Sequence, residues 1–447
     1  MTAPAASTGL RGRLLRGSLF EIGGYGAQQI IRFGSNLILT RLLYPAAFGQ
    51  ATIVSTLGTG LVMLSDVAIQ PCVIQSRRGD EVAFLNTAFT LQVLRGCALA
   101  LLMVLVARPA AWFYREPILE SLIRIGAIQL LLNGFHSTSV FSLRRKLALG
   151  WLNALDLGTS IATVSSILIL CHLHPTAQAL VLGSVLGTIF GTVASHFLPV
   201  PYHNRFQWDK DAVQEIGRFS RWVLGSSTTT FLGMQSDRIL LGRFLGTAWL
   251  GVYGIAANLA EMLSVLVGRV IAGVLYPALS EAGRTNRDLP SFFYRLRLRL
   301  DAFSMTAAGL LGSMGGWVVH ALWDARYANA AWIVEVLSLR VAIGLIIAPM
   351  ETCLFALGHT RYLFLRSLMR LISTVVAMVA GWYLWGAKGV IWATALAELP
   401  TVLAVWPKSR ALGILRIPRE LLAVAIFIAA YAVGRVILIW LPQIHLR

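Results

Sequence analysis

Charge is scarce in this sequence. Only 13% of its 447 residues are Asp, Glu, Lys or Arg, against about 25% in an ordinary soluble domain. With 57% of residues hydrophobic and a mean hydropathy of +0.70, a soluble globular fold is excluded, because such a chain could not cover its surface with polar groups. Cysteine is scarcer still. Cys72, Cys97, Cys171 and Cys353 show no CxxC spacing, which leaves no disulfide or zinc framework and makes them small core hydrophobes. There is no Walker A sequence, no HExxH, no GxSxG and no paired-carboxylate loop of useful size, so no nucleotide, metal or other cofactor is expected. The longest polar stretch, about 200–218, is too short for a catalytic domain.

What the sequence does have is apolar runs, each long enough to cross a ~30 Å hydrocarbon core as a helix. They fall near 19–43, 46–69, 82–107, 118–142, 151–173 and 178–199, then near 219–243, 247–279, 295–320, 329–356, 361–385 and 388–406, with a last one near 420–441. These thirteen segments predict an all-α polytopic membrane protein. Its parts would be a short N-terminal tail (1–18), a six-helix lobe (19–199), a linker (200–218), a second six-helix lobe (219–406), and a basic loop with one extra C-terminal helix (407–447). Arg11, Arg13 and Arg16 precede the first run like a signal-peptide n-region, but Gln28, Gln29 and Arg32 interrupt the run itself. An uncleaved first span is expected.

The excess of Lys and Arg, 38 against 20 acidic residues, would suggest nucleic acid in a soluble protein. Here no basic stripe with spaced aromatics occurs on a soluble module, and nucleic acid is not an expected partner. Placing the N-terminus in the cytoplasm and alternating sides puts twenty-four basic residues on inner segments and seven on outer ones. That bias, which persists to the end of the chain, is the positive-inside pattern. Arg297, Arg366 and Arg370 are counted as inner residues in this scheme. The chain also repeats itself: Arg41 to Gly49 aligns with Arg243 to Gly251 at an offset of 202. Two repeats related by an axis along the membrane normal are a transporter plan, with substrate between lobes.

Charges inside spans are costly and need partners or a function. Seven arginines fall there: Arg32, Arg95, Arg124, Arg238, Arg269, Arg340 and Arg435. In the first span Glu21, Tyr25, Gln28, Arg32 and Ser35 share one helical face, and Asn258, Glu261 and Arg269 do so in the eighth,. Such faces must meet other helices or a water-filled space, which predicts a central polar cavity. The arginine fork suits phosphate, so Arg32, Arg269 and Arg95, with Gln28 and Asn258, are the candidates for binding a substrate diphosphate. The competing reading pairs each arginine with a buried carboxylate, Arg269 with Glu261 for instance. Glu261, Asp156 and Glu398 are the candidates for a coupling proton or cation. Arg124 and Arg238, near span ends, are expected to snorkel.

Several motifs carry a family likeness. Arg41 to Gly49 is followed by Asp66-Val-Ala-Ile-Gln70; then come Asn86-Thr-Ala-Phe89, Phe113-Tyr-Arg-Glu-Pro117 and Leu130-Leu-Leu-Asn-Gly134. Asp237 to Gly246, Tyr276-Pro-Ala-Leu-Ser280 and Ala356-Leu-Gly-His-Thr-Arg361 complete the set. From about 19 to 406 the chain resembles the polysaccharide transporters, or oligosaccharide flippases, of the multidrug/oligosaccharidyl-lipid/polysaccharide superfamily. It departs from the family turn after Asp66, where Val67 and Ala68 stand in place of a Leu-Gly-like pair. The resemblance implies two six-helix lobes around a cavity, alternating access, and an undecaprenyl-diphosphate-linked oligosaccharide as cargo for O-antigen, exopolysaccharide or capsule. It implies a bacterial inner membrane, surrounding lipids, and the polysaccharide polymerase and export machinery as partners. Two other functions remain open: a cation-coupled multidrug antiporter of the same superfamily, which calls for an acidic cavity, and a membrane polymerase or glycosyltransferase, which calls for a sizeable outer loop or a metal-binding carboxylate pair.

Overall fold

The computed structural model describes residues 6–65, 69–146, 148–284 and 288–440. Asp66, Arg287 and Arg447, and the side chains of Glu21 and Tyr25, lie outside the described residues. Helices follow one another as α1 (Ala6–Leu42), α2 (Pro45–Leu64), α3 (Ile69–Gln75), α4 (Val82–Tyr114), α5 (Ile118–Gly134), α6 (Ser139–Arg145), α7 (Leu149–Leu173) and α8 (Ala177–Ser195). Then come α9 (Lys210–Val270), α10 (Tyr276–Arg284), α11 (Leu289–Leu322), α12 (Ala330–Ala356), α13 (Thr360–Leu396), α14 (Val402–Ala411) and α15 (Ile417–Trp440).

Among the described residues nine helices are long and apolar enough to cross a membrane, and the α5–α6 pair, bent by 57°, makes ten. Two of the nine are double: Thr230–Gly283 is broken at Gly246 (φ 82°) and Arg361–Ala411 at Gly386 (φ 57°). Each break needs a left-handed backbone, which glycine adopts without a Cβ penalty. Counted as separate spans, and with α1 added, these helices match the thirteen segments expected from the sequence. The internal repeat is visible in the backbone. The chain turns at Tyr44 (ψ 153°), held extended by the following Pro45, and at Gly246 (ψ 176°), its partner at the 202-residue offset.

The chain divides into two compact units, residues 1–228 and 229–447. In the first, helices touch backbone to backbone where glycines allow it. A Cβ on Gly96 of α4 would lie 2.7 Å from the Gly134 Cα of α5. Along α8, Gly183, Gly187 and Gly191 fit against Ile167, Thr163 and Thr159 of α7, a small-residue stripe of the kind that lets membrane helices approach closely. The bend between α5 and α6 interrupts the helical ladder, and Gln92 Nε2 donates to three carbonyls there, Asn133 O (3.0 Å), Gly134 O (3.3 Å) and His136 O (2.9 Å). Arg145 does the same for the end of α3, donating to the carbonyls of Val73, Ile74 and Ser76 at 2.6–3.0 Å.

The 200–218 segment, expected as a linker, is tied to this first unit. Asn204 exchanges hydrogen bonds with Thr138 and Ser137 at 2.7 Å, Asn86 donates to Gln207 at 3.1 Å, and Arg78 Nη2 donates to Asp209 at 2.6 Å. Ala212 and Ile216 are buried beside Phe84 and Leu85. The Asn86-Thr87 pair of the sequence motif thus anchors the strap, Thr87 accepting from the Asp209 amide. The Arg78 hydrogen bond holds the Asp209 carboxyl below the usual carboxylate range. Its folded-state value is depressed, so the tether contributes fully above about pH 4 and is lost as pH falls through that lowered value. Arg78→Ala is expected to speed amide exchange over residues 203–209 at neutral pH. Acidification of the wild type should reproduce that effect, after correction for intrinsic exchange rates.

In the second unit α11 and α15 lie together, the Gly309 position facing the Phe427 carbonyl and the Gly312 position facing Ser338 of α12. Tyr294 donates to Ile414 O (2.9 Å). Arg297, placed among inner loop charges by the sequence count, is only 1% exposed within α11 and forks onto Glu420 of α15. The final helix is therefore an integral part of this unit. Phe244 and Trp382 stack at 5.7 Å beside the two glycine breaks. Large apolar side chains such as Leu105, Ile169, Leu384, Leu421 and Ile428 stand exposed along the spans, as a lipid-facing surface requires.

Candidate functional site

The second unit holds a half-open cavity of about 460 Å³. Six charged residues line it: Arg238 and Glu261 of α9, Arg340 of α12, Arg366 and Arg370 of α13, and Glu398 just beyond. Their placement follows from the helices. Gly246 turns α9 back on itself, so Arg238 in its first arm meets Glu261 in its second, with Nη2 at 3.0 and 3.2 Å from the carboxylate oxygens. Arg366 and Arg370 are one helical turn apart and share a face of α13.

Three ion groups result. Arg340 Nη1 donates to Asp237 Oδ2 (2.7 Å) and to the Tyr253 hydroxyl (3.0 Å), while Tyr253 donates to the same carboxylate oxygen at 2.8 Å. Asp237, which opens the Asp237 to Gly246 motif, thereby joins both arms of α9 to α12. Arg366 donates from one nitrogen to Glu351 and from the other to Glu398 Oε1 at 2.8 Å. Glu398 is 3% exposed, and Arg370 Nε stands 3.4 Å from its second oxygen, beyond normal hydrogen-bond length. Arg238 with Glu261 is the most open pair. Four arginines and four carboxylates are interleaved in a unit made of membrane helices, where unpaired charge is not tolerated.

Of the residues singled out from sequence, Glu261 and Glu398 come together in this cavity. Asn258 and Arg269, also in the second unit, are exposed on α9. The pair expected between Glu261 and Arg269 is replaced by Glu261 with Arg238, which engages this partner instead of snorkelling. Arg269 sits just before a π-helical turn, Ile271–Leu275, which accommodates Pro277 and its missing amide. Arg32, Gln28, Arg95 and Asp156 belong to the first unit. Arg32 and Asp156 are exposed and Gln28 is half-buried. Arg95 donates to Ser65 Oγ (3.2 Å) and to Val62 O (2.6 Å), a cation satisfying the C-terminal end of α2. Arg124 pairs with Glu120 at 2.5 Å.

Arg366 and Arg370 were missed as interior groups. They fall inside an apolar segment, 361–385, and share the i, i+4, i+7 spacing with Ser373, which is the signal that places them on a buried face. With Arg297 they leave the inner-side tally at twenty-one against seven, so the positive-inside bias survives the correction.

An all-helical chain with this many apolar spans and charged groups gathered between them is a multi-pass membrane protein. Residues 38–331 match the family described as "Polysaccharide biosynthesis protein", and the chain belongs to that family. It is 25% identical over 374 residues to the succinoglycan biosynthesis transport protein ExoT of Rhizobium meliloti, covering 81% of this chain and 72% of that one. To the lipopolysaccharide biosynthesis protein WzxC of Escherichia coli it is 22% identical, covering 79% and 72%. To the teichuronic acid biosynthesis protein TuaB of Bacillus subtilis it is 22% identical over 63% of this chain, but the match spans only 58% of that relative's length. Among solved structures, the lipid II flippase MurJ in an inward closed conformation superimposes with a TM-score of 0.70 at 13% identity, covering 94% of this chain and 98% of MurJ. An inward-facing multidrug resistance transporter of the MATE family gives 0.65 at 8% identity, covering 86% and 94%. The fold is therefore the one shared by MurJ and MATE transporters.

Proposed function

We propose that this protein carries an undecaprenyl-diphosphate-linked oligosaccharide across a bacterial inner membrane by alternating access, with its N-terminus in the cytoplasm. The observation that carries this reading is the cavity of the second unit, where four arginines stand among membrane helices in a chain with no catalytic motif. The likeness to a succinoglycan biosynthesis transport protein and to a lipopolysaccharide biosynthesis protein supports it. Arg32 with Gln28 in the first unit, and Arg269 with Asn258 in the second, are each assigned to contact the diphosphate head. Arg95, whose donors already hold the end of α2, braces the first unit. Glu261 and Glu398 exchange a coupling ion by opening their arginine pairs, with Asp156 as the candidate for that role in the first unit. Lipid tails stay in the bilayer, and the product passes to polymerase and export machinery.

The antiporter reading is weaker, because every carboxylate that lines the cavity faces an arginine and an incoming cation would meet no net negative charge. An enzymatic role is weaker still for want of a loop or carboxylate pair to perform it. The test is movement of a fluorescent undecaprenyl-diphosphate sugar in proteoliposomes by wild type, Arg32→Ala and Arg269→Ala. Loss of one charge-assisted contact is expected to slow movement by at least about tenfold. Folded variants that move the lipid at the wild-type rate would remove both arginines from the substrate path.

A further inference from the structure

The four arginines of the second-unit cavity are not equally satisfied. Arg366 spends both terminal nitrogens on Glu351 and Glu398, and Arg238 is engaged by Glu261. Arg370 is different. Its one ion partner among the described residues is Glu398, whose nearest approach is 3.4 Å from Nε, and that carboxylate is already held at 2.8 Å by Arg366. Arg340 uses one terminal nitrogen on Asp237 and Tyr253. The Arg370 fork and the remaining Arg340 donors thus have no protein partner among the described residues, and both side chains line the same 460 Å³ space.

We propose that Arg370, assisted by Arg340, is the docking point for a single oxyanion of the phosphate class inside the second unit. A guanidinium in a low-dielectric interior keeps its charge, and its planar fork matches two oxygens of a phosphate. Donors held open at a cavity wall are arranged for such a ligand at little reorganisation cost, whereas a purely structural arginine closes its fork on a carboxylate, as Arg297 and Arg366 do. The anion comes from one of two sources, free phosphate or the phosphate head of a lipid carrier. Only the second source rests on the transport reading.

Charge balance adds a sign that a structural role lacks. Arg238, Arg340, Arg366 and Arg370 at the wall are matched by Glu261 and Glu398 there and by Asp237 and Glu351 behind it, so the ion groups as a whole carry no net charge. Removing the carboxylate next to Arg370 must then strengthen anion binding. The experiment measures binding of inorganic pyrophosphate and, separately, of undecaprenyl diphosphate to the full chain in nanodiscs of neutral lipid. Wild type, Arg370→Ala, Arg370→Lys and Glu398→Gln are compared after each is checked for monodispersity and thermal unfolding.

Arg370→Ala is expected to weaken binding at least about tenfold, with Arg370→Lys intermediate because it keeps the charge but loses the fork. Glu398→Gln is expected to tighten it by about tenfold. Binding of both probes marks a general oxyanion site, and binding of the lipid alone marks a site for the carrier head; either upholds the proposal. Wild type that binds neither probe overturns it, as does wild-type affinity in folded Arg370→Ala. Should Arg370→Ala fail to fold, Glu398→Gln decides, and unchanged or weaker binding there overturns it. Pyrophosphate binding that depends on Arg370 in a protein that moves no lipid would keep this site and discard the transport reading.

Discussion

Arg297→Ala is expected to destabilise the second unit by about 3–5 kcal/mol, the cost of stranding a buried partner charge. Its two terminal nitrogens sit 2.6 Å from the two oxygens of Glu420, and one also donates to Ile346 O at 3.1 Å. Asp301 lies 2.9 Å from Nε, in contact but off the angle of a hydrogen bond. Alanine would leave two carboxylates facing each other among apolar helices, with the α15 attachment to α11 lost. Thermal unfolding in detergent should show the loss, and Glu420→Ala should show a similar one. An Arg297→Met, Glu420→Leu double variant should recover much of it, because replacing a buried pair by apolar side chains is often close to neutral. A double variant no better than the singles would mean that the pair supplies something packing cannot.

Arg366→Ala should be comparably damaging, again by about 3–5 kcal/mol, since it is the cation between Glu351 and Glu398. Adding Glu351→Gln removes one of the stranded charges and should restore part of the loss. A second effect is expected that stability alone would not produce. Without Arg366, Glu398 keeps Arg370 as its remaining ion pair and should close on its fork, weakening pyrophosphate binding in the Arg366→Ala, Glu351→Gln protein. If that protein binds pyrophosphate as the wild type does, Glu398 does not compete for Arg370.

The spans were legible because lipid contact imposes a pattern on every one of them. Segments expected at 151–173, 178–199 and 329–356 are found at Leu149–Leu173, Ala177–Ser195 and Ala330–Ala356. The repeat was legible for the same local reason, a hairpin motif with a turn at Tyr44 and at Gly246. The ion groups were not. Arg297 and Glu420 are 123 residues apart and Arg366 and Glu398 are 32 apart, so nothing in the local sequence distinguishes such an arginine from one that marks a cytoplasmic loop. Helical spacing identified polar faces, as for Asn258 and Glu261, but a spacing says which residues share a face and not what that face meets. Arg238 shows the limit: a position near a span end suggested snorkelling, yet the turn at Gly246 delivers it to Glu261.

The measurement that bears most directly on the function compares two cargoes in one preparation of wild-type proteoliposomes. A fluorescent undecaprenyl-diphosphate sugar is followed across the bilayer alongside a lipophilic cationic dye under an imposed ion gradient. An arginine-lined, charge-balanced cavity calls for movement of the anionic lipid-linked sugar and none of the dye above the protein-free control. Movement of the dye without the lipid-linked sugar would contradict that conclusion and place the chain among cation transporters of the same fold.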